Sequence, residues 1–265
     1  MSERLRVSVC GATGRMGRTV IRLVGQSEDL ELVGACAGSG DTGIGEDAGS
    51  LAGGGRSGVV VTDDLASALL GAQVVIDFSQ PPALEQLARL AARQGVALVS
   101  GTTGLKDAAL LDTAAARIPV LWAANMSLGI QVLSELAAEA ARRLGPGFDI
   151  EISETHHRNK VDAPSGTGLR LAEAVQEVRN LRAVTGRSGI VGARTQDEIG
   201  VLAFRGGDVI GDHTVHLLGP GERLELTHRA TSRDLFAQGA LRAARWVVKQ
   251  PPGRYSLRDV LNTPG

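Results

Sequence analysis

The chain of 265 residues is long enough for one large domain or two modest ones, and its 43% hydrophobic content is sufficient for a packed core. A formal net charge of −1, without any block of Lys or Arg, argues against nucleic acid or a membrane surface as the partner. The N-terminus runs directly into a strand pattern, and no stretch approaches ~18 unbroken apolar residues, so we expect a soluble cytoplasmic protein.

The N-terminal stretch predicts a dinucleotide site. An apolar strand pattern at residues 5–10 leads into Gly-Ala-Thr-Gly-Arg-Met-Gly at 11–17, and a helical pattern follows from Arg18. Glycines at this spacing permit a tight turn, close approach of the backbone to a pyrophosphate, and close packing of the helix on the sheet. Because strand and helix flank the loop on both sides, we interpret it as a dinucleotide-binding loop.

The second strand pattern, at residues 30–37, ends without the acid that dinucleotide folds usually offer to the adenosine ribose. Gly38-Ser39-Gly40 occupies that place, and the nearest acid, Asp41, comes a few residues late. No arginine replaces the acid to favour a phosphorylated ribose. The choice between NADH and NADPH is therefore left open by this stretch.

Strand and helix patterns then alternate up to residue 123, with each strand nearly continuous in apolar residues. This alternation predicts an α/β fold, a Rossmann-type doubly wound parallel sheet covered on both faces. The predicted strands are 58–62, 74–78, 96–100 and 120–123, and the predicted helices are 65–70, 83–94 and 107–116.

Three turns follow strands of this sheet and carry polar side chains. They are Phe78-Ser79-Gln80, Gly101-Thr102-Thr103 and Ala123-Ala124-Asn125-Met126. Parallel sheets bind ligands beyond the carboxyl ends of their strands, so as a set these turns favour contact with the nicotinamide half of a cofactor. Ordinary helix capping by Ser, Thr and Asn is an equally good interpretation of any single one.

The second half changes character after an amphipathic helix over residues 128–144. Successive strand patterns joined by short turns predict a second α+β domain with a mixed or antiparallel sheet. Polar–apolar alternation in the last two strands implies one packed face and one open face, a plausible oligomer surface. We expect the final helix, 235–248, to return to the first domain. The predicted strands of the second domain are 148–152, 189–191, 199–204, 212–217 and 222–228.

The polar stretch 154–168 is the candidate catalytic loop. It contains His156, His157 and Lys160, which are suited to proton transfer, and Ser165-Gly166-Thr167-Gly168 opens the helix that follows. Backbone N–H groups and hydroxyls at a helix N-terminus make an anion site, so the stretch suggests a small anionic substrate. The alternative is a solvated histidine pair followed by simple turn chemistry.

Neither the cysteines nor the remaining histidines indicate a metal or redox site. Cys10 and Cys36 lie in apolar strand patterns and are best explained as small buried hydrophobes. His213 and His216 point to opposite faces of a regular strand, and no cysteine or clustered acid supplies further ligands. We therefore expect no metal.

Four motifs together resemble the dihydrodipicolinate reductase family, the 4-hydroxy-tetrahydrodipicolinate reductases of bacterial and plant lysine biosynthesis. They are Gly-Ala-Thr-Gly-Arg-Met-Gly at 11–17, Gly-Thr-Thr-Gly at 101–104, Ala-Asn-Met-Ser at 124–127, and Glu-Thr-His-His-Arg-Asn-Lys-Val-Asp-Ala-Pro-Ser-Gly-Thr at 154–167. The resemblance covers essentially the whole chain, in order, and the last motif is the most distinctive.

The resemblance implies NAD(P)H-dependent reduction of a small dicarboxylate and a division of the chain. A nicotinamide-binding domain would comprise residues 1–127 and 234–265, and residues 128–233 would bind substrate and form a homotetramer through their sheet. His156 would donate or accept a proton, Lys160 would donate one, His157 would bind substrate, and Gly166 with Thr167 would cradle a carboxylate. The implied cofactor contacts are Gly11, Ala12, Thr13, Gly14, Arg15, Met16, Gly101, Thr102, Thr103, Ala123, Ala124, Asn125 and Met126.

Two departures from the family bear on the cofactor. Many members carry an acid followed by arginine where this chain has Gly38-Ser39, and a basic residue where it has Gln80. Arg15 remains the obvious cation for a 2′-phosphate, and we predict use of both NADH and NADPH. Two other functions stay open: a two-domain oxidoreductase of the aldehyde or homoserine type, and a nucleotide-sensing protein without catalysis. Whether the chain is a reductase of this family or an oxidoreductase of the other type, we expect closure of its two domains to bring the reacting atoms together.

Overall fold

The computed structural model describes residues 3–105 and 107–262, and the chain divides into two compact units. The first unit runs to Leu128 and resumes at Arg233, while the second is Gly129–Ser232. No helix in the described ranges combines the length and apolar character needed to cross a bilayer.

The first unit contains a seven-stranded sheet in which every neighbouring pair is parallel. Its strands are β1 Leu5–Cys10, β2 Leu30–Cys36, β3 Val61–Thr62, β4 Val74–Asp77, β5 Ala97–Ser100, β6 Pro119–Trp122 and β12 Gly253–Tyr255. Their order across the sheet is β12-β6-β5-β4-β1-β2-β3. Its helices are α1 Arg15–Gly25, α2 Ala48–Leu51, α3 Leu65–Ala68, α4 Pro81–Gln94, α5 Asp112–Ala115, α8 Asp234–Val247 and α9 Leu257–Asn262.

Both faces of this sheet are buried, which explains why its central strands are largely apolar. In β4, Val74 and Ile76 belong to the hydrophobic cluster that contains helices α1 and α8, whereas Val75 belongs to the cluster that contains α4. A strand with alternate residues in two cores has no face that tolerates polar side chains. The predicted Rossmann-type sheet is therefore confirmed.

Several elements of the first unit differ from expectation. Helix α1 begins at Arg15 instead of Arg18, and the predicted strand 58–62 shortens to Val61–Thr62. The predicted helix 107–116 is a 3₁₀ turn, Ala108–Leu111, followed by the single turn α5. Strand β12 and helix α9 were not predicted, because each is too short to show periodicity.

The second unit contains a five-stranded mixed sheet in the order β11-β10-β7-β9-β8. Strand β10 is antiparallel to both of its neighbours, β7 and β11, whereas β9 runs parallel to both β7 and β8. The strands are β7 Asp149–His156, β8 Arg182–Val184, β9 Glu198–Arg205, β10 Gly211–Gly219 and β11 Glu222–Ala230. Helix α7, Gly166–Gln176, packs on this sheet, and α6, Leu128–Leu144, supplies Leu133, Ala137 and Ala141 to its core.

The predicted strand at 189–191 is wrong. Ile190 and Val191 are exposed and lie between Gly189 and Gly192, which adopt φ values of +71° and +81° that no pleated strand accommodates. Arginines hold the loop in place of a strand ladder: Arg194 donates to Glu151 Oε1 at 2.9 Å and to Asp149 Oδ1 at 2.7 Å. The apolar pair therefore marks an exposed loop.

Candidate active site

The glycine loop of the first unit has the geometry of a phosphate-binding turn. Gly11 has φ +75°, and a Cβ there would lie 2.6 Å from the carbonyl oxygen of Phe78. A Cβ on Gly17 would lie 2.1 Å from the carbonyl oxygen of Gly11, so only glycine lets α1 pack this closely on the loop. Gly14 caps α1 without a side-chain hydrogen bond, and the first turn carries no acid. The loop therefore fits a pyrophosphate at the helix N-terminus.

A buried carboxylate holds together two of the three post-strand turns. Asp77, at the end of β4, accepts hydrogen bonds from Ser100 Oγ and Thr102 Oγ1, both at 2.7 Å, and from the backbone N–H of Ser79 at 3.0 Å. The Trp122 indole of β6 donates to the carbonyl oxygen of Thr102 at 2.9 Å. The ends of strands β4, β5 and β6 are thus joined at one edge of the sheet.

The predicted cofactor residues divide into exposed and buried groups. Gly14, Arg15 and Thr103 are exposed, whereas Thr102 is buried with its hydroxyl committed to Asp77. Asn125 Oδ1 accepts from the backbone N–H of Ser127 at 2.8 Å, an interaction of the helix-capping kind. The other buried members of the set, Ala12, Ala123 and Met126, have apolar side chains, so a strong hydrogen bond to a cofactor could come only from their backbone atoms.

In the second unit the candidate catalytic residues begin inside a strand. Strand β7 extends to His156, so Glu154 and His156 lie two residues apart on its buried face. His213 of β10 is directly opposite Glu154 in the ladder. The His156 and His213 rings meet edge to face, with centroids 5.1 Å apart. The expected loop therefore starts at His157.

Glu154 is the centre of a buried hydrogen-bond network. Its carboxylate accepts from the Ser165 backbone N–H at 2.8 Å, from the Ser165 hydroxyl, and from Arg205 Nη2 at 3.1 Å. His213 Nε2 lies 3.6 Å from its Oε2. A Cβ on Gly168 would approach the same oxygen to 2.7 Å. The network therefore fixes the start of helix α7 against the end of β7.

The N-terminus of α7 is capped by Ser165, whose Oγ accepts from the Gly168 N–H at 3.1 Å. No acidic side chain lies in its first turn, and Gly166 is exposed. The helix dipole and the first-turn N–H groups favour an anion at Gly166 and Thr167.

Lys160 lies in the loop between β7 and α7. Its Nζ is 2.7 Å from Asp162 Oδ1, and the loop is fastened by a 2.7 Å hydrogen bond from the His157 N–H to the Val209 carbonyl. The structure thus places Lys160, His156 and the start of α7 around one loop.

Burial sets the protonation of the two central groups. Desolvation lowers the pKa of His156 to about 4; Glu154 opposes this shift, while His213, Lys160 and Arg205 add to it. Burial alone would raise the pKa of Glu154, but His213, Ser165 and Arg205 outweigh it and hold that pKa at about 2. At neutral pH the pair is a neutral imidazole beside a carboxylate.

Glu154, His156 and His213 also form the one group in the described ranges with the spacing of metal ligands, their ligand atoms lying within 4.8 Å of one another. The sequence argument overlooked this group because it treated Glu154 as a loop residue. A cation there would have to displace Arg205 and Ser165 from the carboxylate. The site is better suited to holding protein donors than a metal ion.

Glu154, Arg205 and His213 received no role in the sequence analysis. One signal was available: Ile150, Ile152, Glu154 and His156 continue a period of two, which extends the strand beyond its apolar part. His213 and Arg205 could not be found in this way, because their proximity depends on strand pairing.

Comparison with known proteins gives consistent matches over the whole length. The family models described as dihydrodipicolinate reductase N-terminus and C-terminus match residues 5–126 and 129–261. The chain is 51% identical over 265 residues to the 4-hydroxy-tetrahydrodipicolinate reductase of Myxococcus xanthus strain DK1622, covering 97% of each chain. It is 50% identical over 267 residues to the enzyme of the same name from Anaeromyxobacter dehalogenans strain 2CP-1, covering 98% of each.

A solved structure supports the fold. A dihydrodipicolinate reductase from Paenisporosarcina sp. TG-14, described as dipicolinate bound, matches with a TM-score of 0.77 and 24% identity. The match covers 96% of this chain and 97% of that one. The fold of this chain is therefore found in a solved protein.

Proposed function

The chain belongs to the dihydrodipicolinate reductase family, and from that premise we propose how its residues carry out the family's reaction. The activity is the NAD(P)H-dependent reduction of 4-hydroxy-tetrahydrodipicolinate to tetrahydrodipicolinate, in diaminopimelate and lysine biosynthesis. The observation that carries the residue assignment is the joining of His156, Lys160 and the α7 N-terminus around one loop.

The cofactor is a nicotinamide dinucleotide, and we assign it to the domain formed by residues 1–127 and 234–265. The glycine loop supports this assignment because only glycine fits at positions 11 and 17. We propose that both NADH and NADPH are accepted. The proposed contacts are those of the sequence analysis, with Thr102, Ala12, Ala123 and Met126 acting through their backbone atoms.

The substrate is a small dicarboxylate, and we assign it to residues 128–233. The Paenisporosarcina protein, described as dipicolinate bound, supports this class of ligand. The first turn of α7 would hold one carboxylate through Gly166 and Thr167, and His157 would add a donor from the loop. The Lys160 ammonium would contribute positive charge beside the dianion, exchanging its contact with Asp162 for the substrate.

The reaction requires a hydride, a proton and the loss of the 4-hydroxyl group as water. The nicotinamide supplies the hydride when bound. The protein must then donate a proton, and Lys160 is the proposed donor because it carries a charge that the buried imidazole does not. His156, with its pKa lowered to about 4, is neutral at pH 7 and suited to accept a hydrogen bond or a proton.

We propose a cytoplasmic homotetramer assembled through the mixed sheet, with neither nucleic acid nor membrane as a partner. The long edge strand β11 supports this proposal, since most of its residues are exposed and its Leu224 is a large exposed apolar side chain. Sedimentation equilibrium would contradict the assembly if it gave a monomer at micromolar concentration.

The test of function is oxidation of NADH or NADPH, followed spectrophotometrically with freshly generated 4-hydroxy-tetrahydrodipicolinate. An aldehyde- or homoserine-type enzyme would instead turn over its own substrate, and a sensor would bind the nucleotide without turnover.

Lys160→Ala and His156→Ala should each lower kcat by ~10²–10⁴-fold, because each removes a positioned proton-transfer group. Nucleotide affinity, measured by nicotinamide fluorescence, should stay within about twofold of the wild-type value, since neither residue belongs to the glycine loop. Full turnover in both variants would contradict the site assignment.

A further inference from the structure

The turn after β2 brings an acid back to the glycine loop. β2 ends at Cys36, and the chain reverses at once: Asp41 N donates to the Gly38 carbonyl at 3.1 Å, with Gly40 at φ +82°. Ile44 N then donates to the Asp41 carbonyl at 3.2 Å. Two consecutive turns thus absorb the residues that separate Asp41 from the end of the strand.

Asp41 contacts the glycine loop directly. Thr13 Oγ1 donates to Asp41 Oδ2 at 2.7 Å, and the Gly43 N–H donates to Oδ1 at 2.8 Å. A Cβ on Gly43 would lie 2.6 Å from Thr13 Cγ2, so the two segments are packed as closely as glycine allows. The carboxylate is held beside the residue that precedes Gly14, the cap of α1.

Two arginines, Arg15 and Arg18, lie in the first turn of α1, next to the glycine loop that Asp41 contacts. The Gly43 N–H and the Thr13 hydroxyl lower the pKa of Asp41, which is therefore charged at neutral pH. Each carboxylate oxygen retains capacity to accept a further hydrogen bond. Arg18 donates through Nε to the Thr13 carbonyl at 2.8 Å, and Arg15 is exposed one residue after Gly14. A ribose hydroxyl would meet an acceptor here, whereas a 2′-phosphate would meet both attraction and repulsion.

We infer that Asp41 is the specificity-determining residue for the adenosine ribose and makes the chain bind NADH more tightly than NADPH. It takes the place of the acid absent from Gly38-Ser39. The inference rests on the proposed cofactor site and deepens it. An acid in this role accepts hydrogen bonds from the ribose hydroxyls and repels a 2′-phosphate. Because Arg15 and Arg18 offset part of the repulsion, the preference is moderate, about tenfold, and both cofactors remain usable.

The test is the ratio of the dissociation constants of NADH and NADPH, measured by nicotinamide fluorescence on the full chain without substrate. Asp41→Asn keeps the size of the side chain and removes the charge. The substitution should weaken the binding of NADH and strengthen the binding of NADPH. The ratio of the two dissociation constants should therefore change by about tenfold in favour of NADPH. Raising the salt concentration should bring the wild-type ratio closer to one, since ionic screening weakens the repulsion between Asp41 and the 2′-phosphate.

Glu46→Gln is the matched control, because it removes the same charge from an exposed position in the same loop. It should leave the ratio within about twofold of wild type. If Asp41→Asn folds poorly, as judged by circular dichroism, Asp41→Ser supplies the same comparison with a smaller side chain.

Three results would overturn the inference: a wild-type preference for NADPH, an unchanged ratio in the Asp41 variants, or an equal change in Glu46→Gln. If any of these results is obtained and the wild-type chain still reduces the substrate, only the inference about Asp41 fails and the proposed function stands. A chain that neither binds a dinucleotide nor reduces the substrate contradicts the proposed function itself.

Discussion

At the scale of single residues, Glu154 shows how a buried charge organises its surroundings. Its side chain is inaccessible to solvent, and its partners come from β9, β10 and the start of α7. A buried charge is tolerated only when its hydrogen-bonding capacity is used, and here the partners saturate the carboxylate. The same contacts set the position of the helix end that we propose as the carboxylate cradle.

We predict that Glu154→Gln destabilises the protein by about 3 kcal/mol, because it removes the buried carboxylate and leaves the partly buried Arg205 without its counter-charge. Urea-induced unfolding would measure the loss. Glu225→Gln is the control: it removes an exposed carboxylate 3.3 Å from His216 and should cost less than about 0.5 kcal/mol. Equal losses in the two variants would contradict the role of burial.

Sequence reasoning proposed His156, Lys160 and the α7 N-terminus as one site because they lie close together in the chain. It did not find the pairing of Glu154 with His213, since ladder register joins residues that are distant in sequence. Asp41 was noticed but could not be placed, because the two turns that return it to Thr13 depend on hydrogen bonds that no periodicity reveals.

At the scale of elements, helix α1 illustrates how position decides the effect of glycine. Gly17 lies where a Cβ would meet the carbonyl oxygen of Gly11, whereas a Cβ on Gly25 in the last turn would meet nothing within 4 Å. The glycine spacing correctly predicted a tight turn and close packing of α1 on the loop. The strand predicted at 189–191 failed, because two positive-φ glycines isolate Ile190 and Val191 from any ladder.

We predict opposite outcomes for alanine at these two positions. Gly17→Ala should lower the unfolding temperature and weaken NADH binding more than tenfold, because helix and loop must separate to admit the methyl group. Gly25→Ala should leave binding unchanged and raise stability by up to ~1 kcal/mol through helix propensity. Thermal unfolding and fluorescence titration would check both, and unimpaired nucleotide binding by Gly17→Ala would contradict the close packing.

At the scale of the whole molecule, buried titratable groups link stability to pH. The pKa of His156 falls from its usual 6.5 to about 4 on folding, so between those values the unfolded chain binds a proton that the folded chain does not. Stability therefore decreases as the pH falls through this window. The pKa of Glu154, lowered from 4.5 to about 2, adds a second loss below pH 4.5. His228, whose pKa is also lowered by burial, contributes with the same sign as His156.

We predict that urea-induced unfolding shows lower stability at pH 5 than at pH 7.5. His156→Gln should flatten this dependence, removing about 2 kcal/mol of the difference. A variant that kept the full wild-type slope would contradict this assignment, because it would show that the pKa of His156 does not change on folding.

The first unit is interrupted in the chain by the second, and this has a consequence for biosynthesis. Strand β12 pairs with β6, and α8 contributes buried side chains to the core of the first unit, yet both lie beyond Ser232 in the chain. A nascent polypeptide emerging from the ribosome must therefore carry an incomplete parallel sheet, in which β6 lacks its partner β12, until residues 253–255 have been synthesised. Residues 129–232 are contiguous and can fold as soon as they are released from the exit tunnel. The first unit, whose strands are begun before the second unit is made, is thus completed only after it.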